Sequence, residues 1–367
     1  MKYNRKGLAI VDIAVSSVGS VHQNLAITTY DFVDGAAAVV ALVLSMAVVL
    51  LLTPSLIRKM TAGGMVGTDV NKADKPKVAE LGGIAALFAF SVSISLVVGI
   101  QKLVGNIAEP PFLAAISVFL MAAMIGLIDD ISDLKRWFKA VVLGIAALPL
   151  MLVHLGPEVI TFPFSIAISF AASGYLLYWL VLVPIGVSGM ANAMNMSAGY
   201  NGLESGQIAI VSAVLLVIGF LRGSSEFGLM VFASLVGCSI GLFYYNRYPA
   251  KIFIGDIGTL GLGAAIGAGV ILGHLEFFGL LAIGPAFYEG MATAYYGLRG
   301  ENGHRRKACH SPTILSDGRL QPAAGAARYT LANLLLSKRP MTERGLVRSL
   351  LCIYATCGGV AILLSLV

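Results

Sequence analysis

Long, almost uninterrupted apolar runs constrain this chain more than anything else in its sequence. They lie at about 35–57, 82–104, 111–128, 138–155, 172–191, 206–221, 227–244, 258–274, 277–297 and 346–367. Each is close to the ~20 residues a helix needs to cross the hydrocarbon of a bilayer. Backbone groups in hydrocarbon must be satisfied within their own segment, and the ten-residue alternation of a membrane barrel is missing, so the runs predict helices. The expected fold is all-α, a polytopic membrane helix bundle of about ten transmembrane helices. Only 12% of residues are charged, about half the share in soluble domains.

Basic residues set the expected orientation, because Lys and Arg in short loops stay on the cytoplasmic side. One alternating set of loops holds Arg58, Lys59, Lys72, Lys75, Lys77, Lys135, Arg136, Lys139, Arg247, Lys251 and every Lys or Arg from Arg299 to Arg348; the other interhelical set holds Lys102 and Arg222. The first set is expected to face the cytoplasm. The formal charge of +6 then reflects topology and anionic substrates. Aromatic-interleaved basic stretches are absent, so no nucleic-acid partner is assigned. Cys238, Cys309, Cys352 and Cys357 have no metal-ligand spacing. Residues 1–34 read as an extracytoplasmic lead-in, and 35–367 as one integral domain with a long cytoplasmic loop at 298–345.

Polar chemistry collects in the basic loops. The third run ends in Asp129 and Asp130, followed by Lys135, Arg136 and Lys139. Carboxylates are costly near hydrocarbon and oppose the dipole at a helix C-terminus, so a cation, Mg²⁺ or a lysine, is expected to compensate them. A solvated helix end with local ion pairs is the plainer alternative. A second cluster runs from Asn192 through Asn195, Gly199, Asn201 and Glu204 to Gln207. Its amides suit a pyrimidine base or sugar hydroxyls and its glycines allow close backbone approach, though an ordinary turn uses the same residues.

A third cluster, Arg247-Tyr248-Pro249-Ala250-Lys251-Ile252-Phe253-Ile254-Gly255-Asp256, places a lone acid at a helix entrance. Asp256 suits either an N-cap or a hard oxygen ligand. Asp256, Asn195 and the Asp129/Asp130 pair form a chemically sensible magnesium set, with Phe253 placed to stack on a base. In the late loop, His304, Arg305, Arg306 and Lys307 suit a phosphate clamp, or simply the positive-inside bias. The first basic loop adds Lys72, a candidate phosphate contact, and Glu80. Glu289, inside the ninth run, needs a partner of unassigned kind.

Taken together, these motifs resemble the polyprenyl-phosphate N-acetylhexosamine-1-phosphate transferases, over nearly all of the chain after Ala36. The aspartate pair with Lys139, the run Asn192 to Gln207, the run Arg247 to Asp256, and Thr330-Leu331-Ala332-Asn333-Leu334-Leu335 most resemble the dolichyl branch. Bacterial members carry an Asp where Ala198 stands, and the eukaryotic branch carries an insert that this chain lacks, which fits an archaeal source.

The resemblance implies a ten-helix fold, Mg²⁺ dependence with Mn²⁺ as an alternative ion, and transfer of GlcNAc 1-phosphate from UDP-GlcNAc to dolichyl or polyprenyl phosphate with release of UMP. Such a reaction begins N-glycan assembly on its lipid carrier. Carried over residue by residue, Asn195 and Asp256 resemble the metal ligands. Gly199, Asn201 and Phe253 resemble the uridine contacts, Lys139 a phosphate contact, and His304 and Arg305 the sugar and pyrophosphate loop. Asp129, Asp130, Lys139 and Asn192 form the expected catalytic group. Within it, Asp129 is assigned to the lipid phosphate and Asp130 to holding Lys139 or the metal. Lys72, Glu80, Glu204 and Arg306 join the expected substrate contacts.

The expected enzyme resides in the cell membrane with its site facing the cytoplasm, and a homodimer is compatible with it. Two alternatives stay open: the same chemistry on another UDP-N-acetylhexosamine for cell-wall polymer synthesis, and a secondary transporter of nucleotide-sugar or lipid.

Overall fold

A computed structural model describes residues 35–104, 110–132, 134–153, 158–170, 174–298, 312–323 and 330–367. The N-terminal lead-in and the His304, Arg305 and Arg306 loop lie outside them. The described chain is a polytopic helical membrane protein. Eight of its helices are long and apolar enough to cross a bilayer. They are α1 (Gly35–Ala62), α2 (Gly83–Val104), α3 (Pro110–Ser132), α6 (Gly174–Met196), α7 (Leu203–Arg222), α8 (Glu226–Asn246), α9 (Gly255–Leu272) and α13 (Glu343–Ser365). The fourth and ninth expected spans are shorter and interrupted. One is α4 (Arg136–Ile145) followed by α5 (Leu148–Met151), and the other is α10 (Glu276–Ala282) followed by α11 (Gly284–Leu298). Pro149 at the start of α5 and Gly284 at the start of α11 mark the breaks. Short strands form three two-stranded hairpins, β1–β2 (Val66–Thr68, Lys77–Ala79), β3–β4 (Glu158–Thr161, Ala167–Phe170) and β5–β6 (Thr313–Ile314, Leu320–Gln321). Helix α12 (Leu331–Lys338) lies between α11 and α13 in the chain.

Helix α9 is the axis of the bundle, and it is buried continuously from Ile257 to Ile271. Small residues make that possible, because without a hydrophobic force between helices in lipid, association depends on close backbone packing. A Cβ placed on Gly83 would lie 2.3 Å from the Gly258 backbone nitrogen, one on Gly126 2.3 Å from the Asp256 carbonyl oxygen, and one on Gly263 2.8 Å from the Ala191 Cα. Helices α2, α3 and α6 therefore press their backbones against α9, and two of these contacts fall at its first turn.

Polar groups sort to the two ends of the bundle. At one end the loop after α1 joins the loop before α9: Ala79 bridges Ile252, and the Phe253 amide donates to the Ala79 carbonyl at 2.8 Å. The Gly82 amide donates to Phe253 and the Gly83 amide to Ile254, each at 2.8 Å, so this platform continues into the start of α2. At the other end, Arg222 donates to the Ser365 carbonyl, Ser225 to Leu272, and Phe164 to Val367. His274 there faces Glu158 at 3.5 Å, and Tyr178 donates to Glu276 at 2.6 Å. The motifs read from the sequence belong to the first end, called here the motif face.

Gly126→Ala is expected to destabilise the protein by about 1–3 kcal/mol through overpacking. Gly99→Ala, with open space around its Cβ position, is expected to be neutral or slightly stabilising. Thermal midpoints in detergent check this, and equal midpoints for the two variants would contradict the packing account.

Candidate active site

The carboxylates that end α3 are compensated by two different devices. Asp130 accepts the backbone N–H of Asp256 at 2.8 Å and of Ile257 at 3.0 Å. It therefore caps α9 from a neighbouring helix, using donors that an α-helix leaves unpaired at its N-terminus. Gly255 makes room for it, with φ of +75° and a would-be Cβ 2.8 Å from the Asp130 Oδ2. Because the cap comes from α3, the Asp256 side chain is not spent on its own helix, and the N-cap alternative for Asp256 falls away.

Asp129 uses its carboxylate differently. Its Oδ1 accepts the Leu134 amide at 2.6 Å, and its Oδ2 accepts the Lys139 ammonium at 2.5 Å. Lys139 also donates to the Asp256 Oδ2 at 3.1 Å. The sequence suggests either Lys139 or the metal for Asp130; the structure gives Lys139 to Asp129 and Asp256, because both oxygens of Asp130 are committed to the start of α9. On the far side, Asn195 donates its Nδ2 to Asp256 Oδ1 at 2.7 Å and to the Thr259 hydroxyl at 2.9 Å. Asp129, Lys139, Asn195 and Asp256 thus converge on one spot, and the Asp256 side chain is still 31% exposed.

Asn192, one turn earlier on the same stripe of α6, donates to the Ser188 carbonyl at 2.8 Å. The Ser188 hydroxyl donates to the Ala140 carbonyl at 2.8 Å, fastening α6 to the residue beside Lys139. Glu80 and Phe253 close the other side, both near the Cβ position of Gly67. Burial and the nearby Asp130 charge push the Glu80 carboxyl upward, against the opposing pull of Lys77.

The amide loop is held by a second network. Asn201 is buried and gives its Nδ2 to Asp69 at 2.9 Å, while its backbone N–H goes to Glu343 at 2.9 Å. Lys72 pairs with both Asp69 and Glu343. Asn71 donates to the Gly199 carbonyl at 2.8 Å, and Glu204 accepts the Gly199 N–H at 3.0 Å. Gly199 and Gly202 have φ of +122° and +88°, which L side chains rarely adopt. Lys72, Asn201 and Glu204, expected at the substrate, are thus engaged in fixing the loop that carries the exposed Gly199.

Sequence reasoning passed over Asp69, Thr259 and Glu343. Thr259 had a usable signal, its place one turn after Asp256. Nothing local marked Glu343, which meets its partners across the whole chain. Glu289 accepts the Leu331 N–H at 2.6 Å, so it caps α12 from α11.

Two carboxylates and a hydroxyl offer hard oxygens here, while Asn195 turns its Nδ2 toward Asp256 and Thr259. Among the described residues no three His, Cys, Asp or Glu side chains form a metal cluster. Mg²⁺ uses one or two carboxylates and completes its shell with water and substrate phosphates, and Asp129 and Asp256 are the carboxylates available for that here. The Lys139 ammonium, bridging Asp129 and Asp256, shows that the spot between them is built for positive charge.

The chain resembles known sugar-phosphate transferases. The pattern of Glycosyl transferase family 4 matches residues 112–274. A relative in Methanocaldococcus jannaschii, provisionally named a glycosyltransferase, is 31% identical over 303 residues, covering 82% of this chain and 88% of the relative. One in Saccharolobus solfataricus, provisionally named UDP-N-acetylglucosamine–dolichyl-phosphate N-acetylglucosaminephosphotransferase, is 33% identical over 222 residues. That match covers 60% of this chain and 66% of the relative, just under two thirds of its length. The phospho-N-acetylmuramoyl-pentapeptide-transferase of Limosilactobacillus reuteri is 30% identical over 268 residues, 68% of this chain and 79% of the relative.

Asp130→Asn should lose one of two caps on α9 and lower stability by about 1–2 kcal/mol. Lys139→Met leaves Asp129 and Asp256 facing each other without a cation, so its thermal midpoint should fall in metal-free buffer and recover on adding MgCl₂ more than the wild type gains. An unchanged midpoint for Lys139→Met, or the same magnesium response in both proteins, would contradict the charge balance described.

Proposed function

Since the chain belongs to Glycosyl transferase family 4, we propose that it transfers GlcNAc 1-phosphate from UDP-GlcNAc to dolichyl or a related polyprenyl phosphate and releases UMP. The observation that carries this reading is the convergence of Asp129, Lys139, Asn195 and Asp256 at one end of the bundle. A secondary transporter would concentrate such groups near the bilayer midplane on broken helices. The excess of Lys and Arg on the motif face supports its lying in the cytoplasm, where a nucleotide-sugar is available.

In the proposed reaction an oxygen of the lipid phosphate attacks the β-phosphorus of UDP-GlcNAc, and the bond to the α-phosphate oxygen breaks to release UMP. Little covalent work falls to the protein, so positioning and charge neutralisation carry the catalysis. Lys139 offers its ammonium to the phosphate oxygens. Asp129, its partner, orients the incoming lipid phosphate or accepts its proton. Asp130 acts at one remove, by fixing the first turn of α9 and with it Asp256. Gly199 presents backbone to the nucleotide and Phe253 a ring for the uracil to stack on, while His304, Arg305 and Arg306 are assigned to the sugar and pyrophosphate. Asp256 would hold Mg²⁺, joined by Asn195 once its amide turns to present oxygen in place of the Nδ2 that now donates to Asp256, and the charge of the ion would offset that of the diphosphate.

A second reading, the same chemistry on UDP-N-acetylmuramoyl-pentapeptide, is favoured by the likeness to the Limosilactobacillus enzyme. An assay of UMP release with UDP-GlcNAc, UDP-GalNAc and UDP-N-acetylmuramoyl-pentapeptide, each against dolichyl and unsaturated polyprenyl phosphate, separates the two. UDP-GlcNAc is expected to be the preferred donor. Asp256→Asn should cut turnover by about 10²-fold or more while the protein stays folded in detergent. Wild-type turnover in that variant, or no UMP from any donor, would overturn the proposal.

A further inference from the structure

A polar cavity on the motif face touches the amide loop at Asn201 and is lined by none of the groups assigned to the reaction above. It has a volume of about 510 Å³ and lies between the end of α8 and the start of α13. Four of its lining side chains are cationic: Arg247, Lys251, Arg344 and Arg348. None of its lining residues is acidic. No carboxylate among the described residues lies within ion-pair distance of any of the four. The nearest acid in sequence, Glu343, is buried and engaged by Lys72 and the Asn201 amide.

Two of the guanidinium groups are held in place by aromatic rings. Arg247 sits 5.1 Å from the ring centre of Tyr244, and Arg344 4.6 Å from that of Tyr248. Stacking of this kind fixes a guanidinium plane at a modest gain in energy and leaves its N–H edge available. Arg344 and Arg348 are one helical turn apart and share a face of α13. Like charges gathered around a concavity repel one another, and that arrangement is costly unless an anion relieves it.

We infer that this cavity binds the phosphate group of an anion, with Arg247, Lys251, Arg344 and Arg348 as its ligands. Arginine forks match phosphate oxygens bidentately. The source that fits the location is a membrane lipid headgroup. Arg344 and Arg348 occupy the first turns of a spanning helix, Arg247 follows directly on the last residue of another, and Tyr244 is 51% exposed beside them. That is the level at which aromatic belts and basic residues meet anionic headgroups. The inference stands apart from the transfer reaction, because the cavity is lined by none of Asp129, Lys139, Asn195 and Asp256.

The test is a thermal-shift titration of the full-length protein in neutral detergent with phosphatidylglycerol, phosphatidylcholine or inorganic phosphate at constant ionic strength. The wild type should bind phosphatidylglycerol more tightly than phosphatidylcholine. Arg344→Gln/Arg348→Gln should weaken that binding about thirtyfold, at roughly fivefold per charge, and Lys251→Gln about fivefold. Arg58→Gln/Lys59→Gln, which removes two exposed charges from the same face at the end of α1, should leave it unchanged. Inorganic phosphate binding that weakens in the same variants would support the site and assign it to a soluble anion. Equal weakening by the two double variants, or no phosphate binding and no preference for phosphatidylglycerol, would overturn the inference. The readout is binding, so the outcome does not depend on which sugar the enzyme transfers.

Discussion

The junction between the last turn of α3 and the first turn of α9 is the constraint on which the motif face depends. An α-helix begins with N–H groups that have no partner inside it. Asp130 takes two of them, at 2.8 and 3.0 Å. A carboxylate that is badly placed at the end of its own helix is well placed at the start of the next one. Its capping role leaves Asp256 pointing outward, and the closeness of Gly126 to the Asp256 backbone leaves the two helices no room to slide. Fixing one junction thus fixes the spacing of Asp129, Lys139, Asn195 and Asp256.

Charge balance follows from the same geometry. Asp129 is buried and Asp256 partly exposed, and a single ammonium, that of Lys139, answers both. Such a balance is poised to change when a cation or a phosphate arrives, because either one alters which charges need partners. The amide loop around Gly199 is built on the opposite principle. Its anchors, Asp69, Lys72, Asn201 and Glu343, form a closed ionic and hydrogen-bonded set, so the loop is rigid and presents backbone to whatever lies above it. One part of the face is electrostatically open and the other closed, which suits a site that must accept charge at a fixed distance from a recognition surface.

Much of this was legible in the sequence, for physical reasons. Apolar runs near the length of a membrane span leave a chain few options but helices, and adjacent acids at the end of one of them demand compensation. The identity of the compensator was harder to read. The sequence pointed to a cation, Mg²⁺ or a lysine, and only the direction in which α3 meets α9 decides that Asp130 takes the start of a helix while Asp129 takes the lysine. The two interrupted spans, α4 with α5 and α10 with α11, were harder too, because hydropathy is indifferent to a break at Pro149 or Gly284. The Lys72–Asp69 pair is local, but Asn201 meets Asp69 across 132 residues and Lys72 meets Glu343 across 271, distances no local pattern spans. Glu289 was visible as an acid needing a partner, yet the partner is a backbone amide and left no trace in the sequence.

The proposed function requires one divalent cation held at Asp256 and Asn195 beside a nucleotide diphosphate. Electron paramagnetic resonance of Mn²⁺ added to the purified full-length protein, with and without UMP, tests it without relying on turnover. The account predicts one bound Mn²⁺ per chain whose spectrum changes when UMP is added, and loss of that signal in Asp256→Asn and Asn195→Ala. A bound ion that persists unchanged in both variants, or no bound ion even with the nucleotide present, would contradict it.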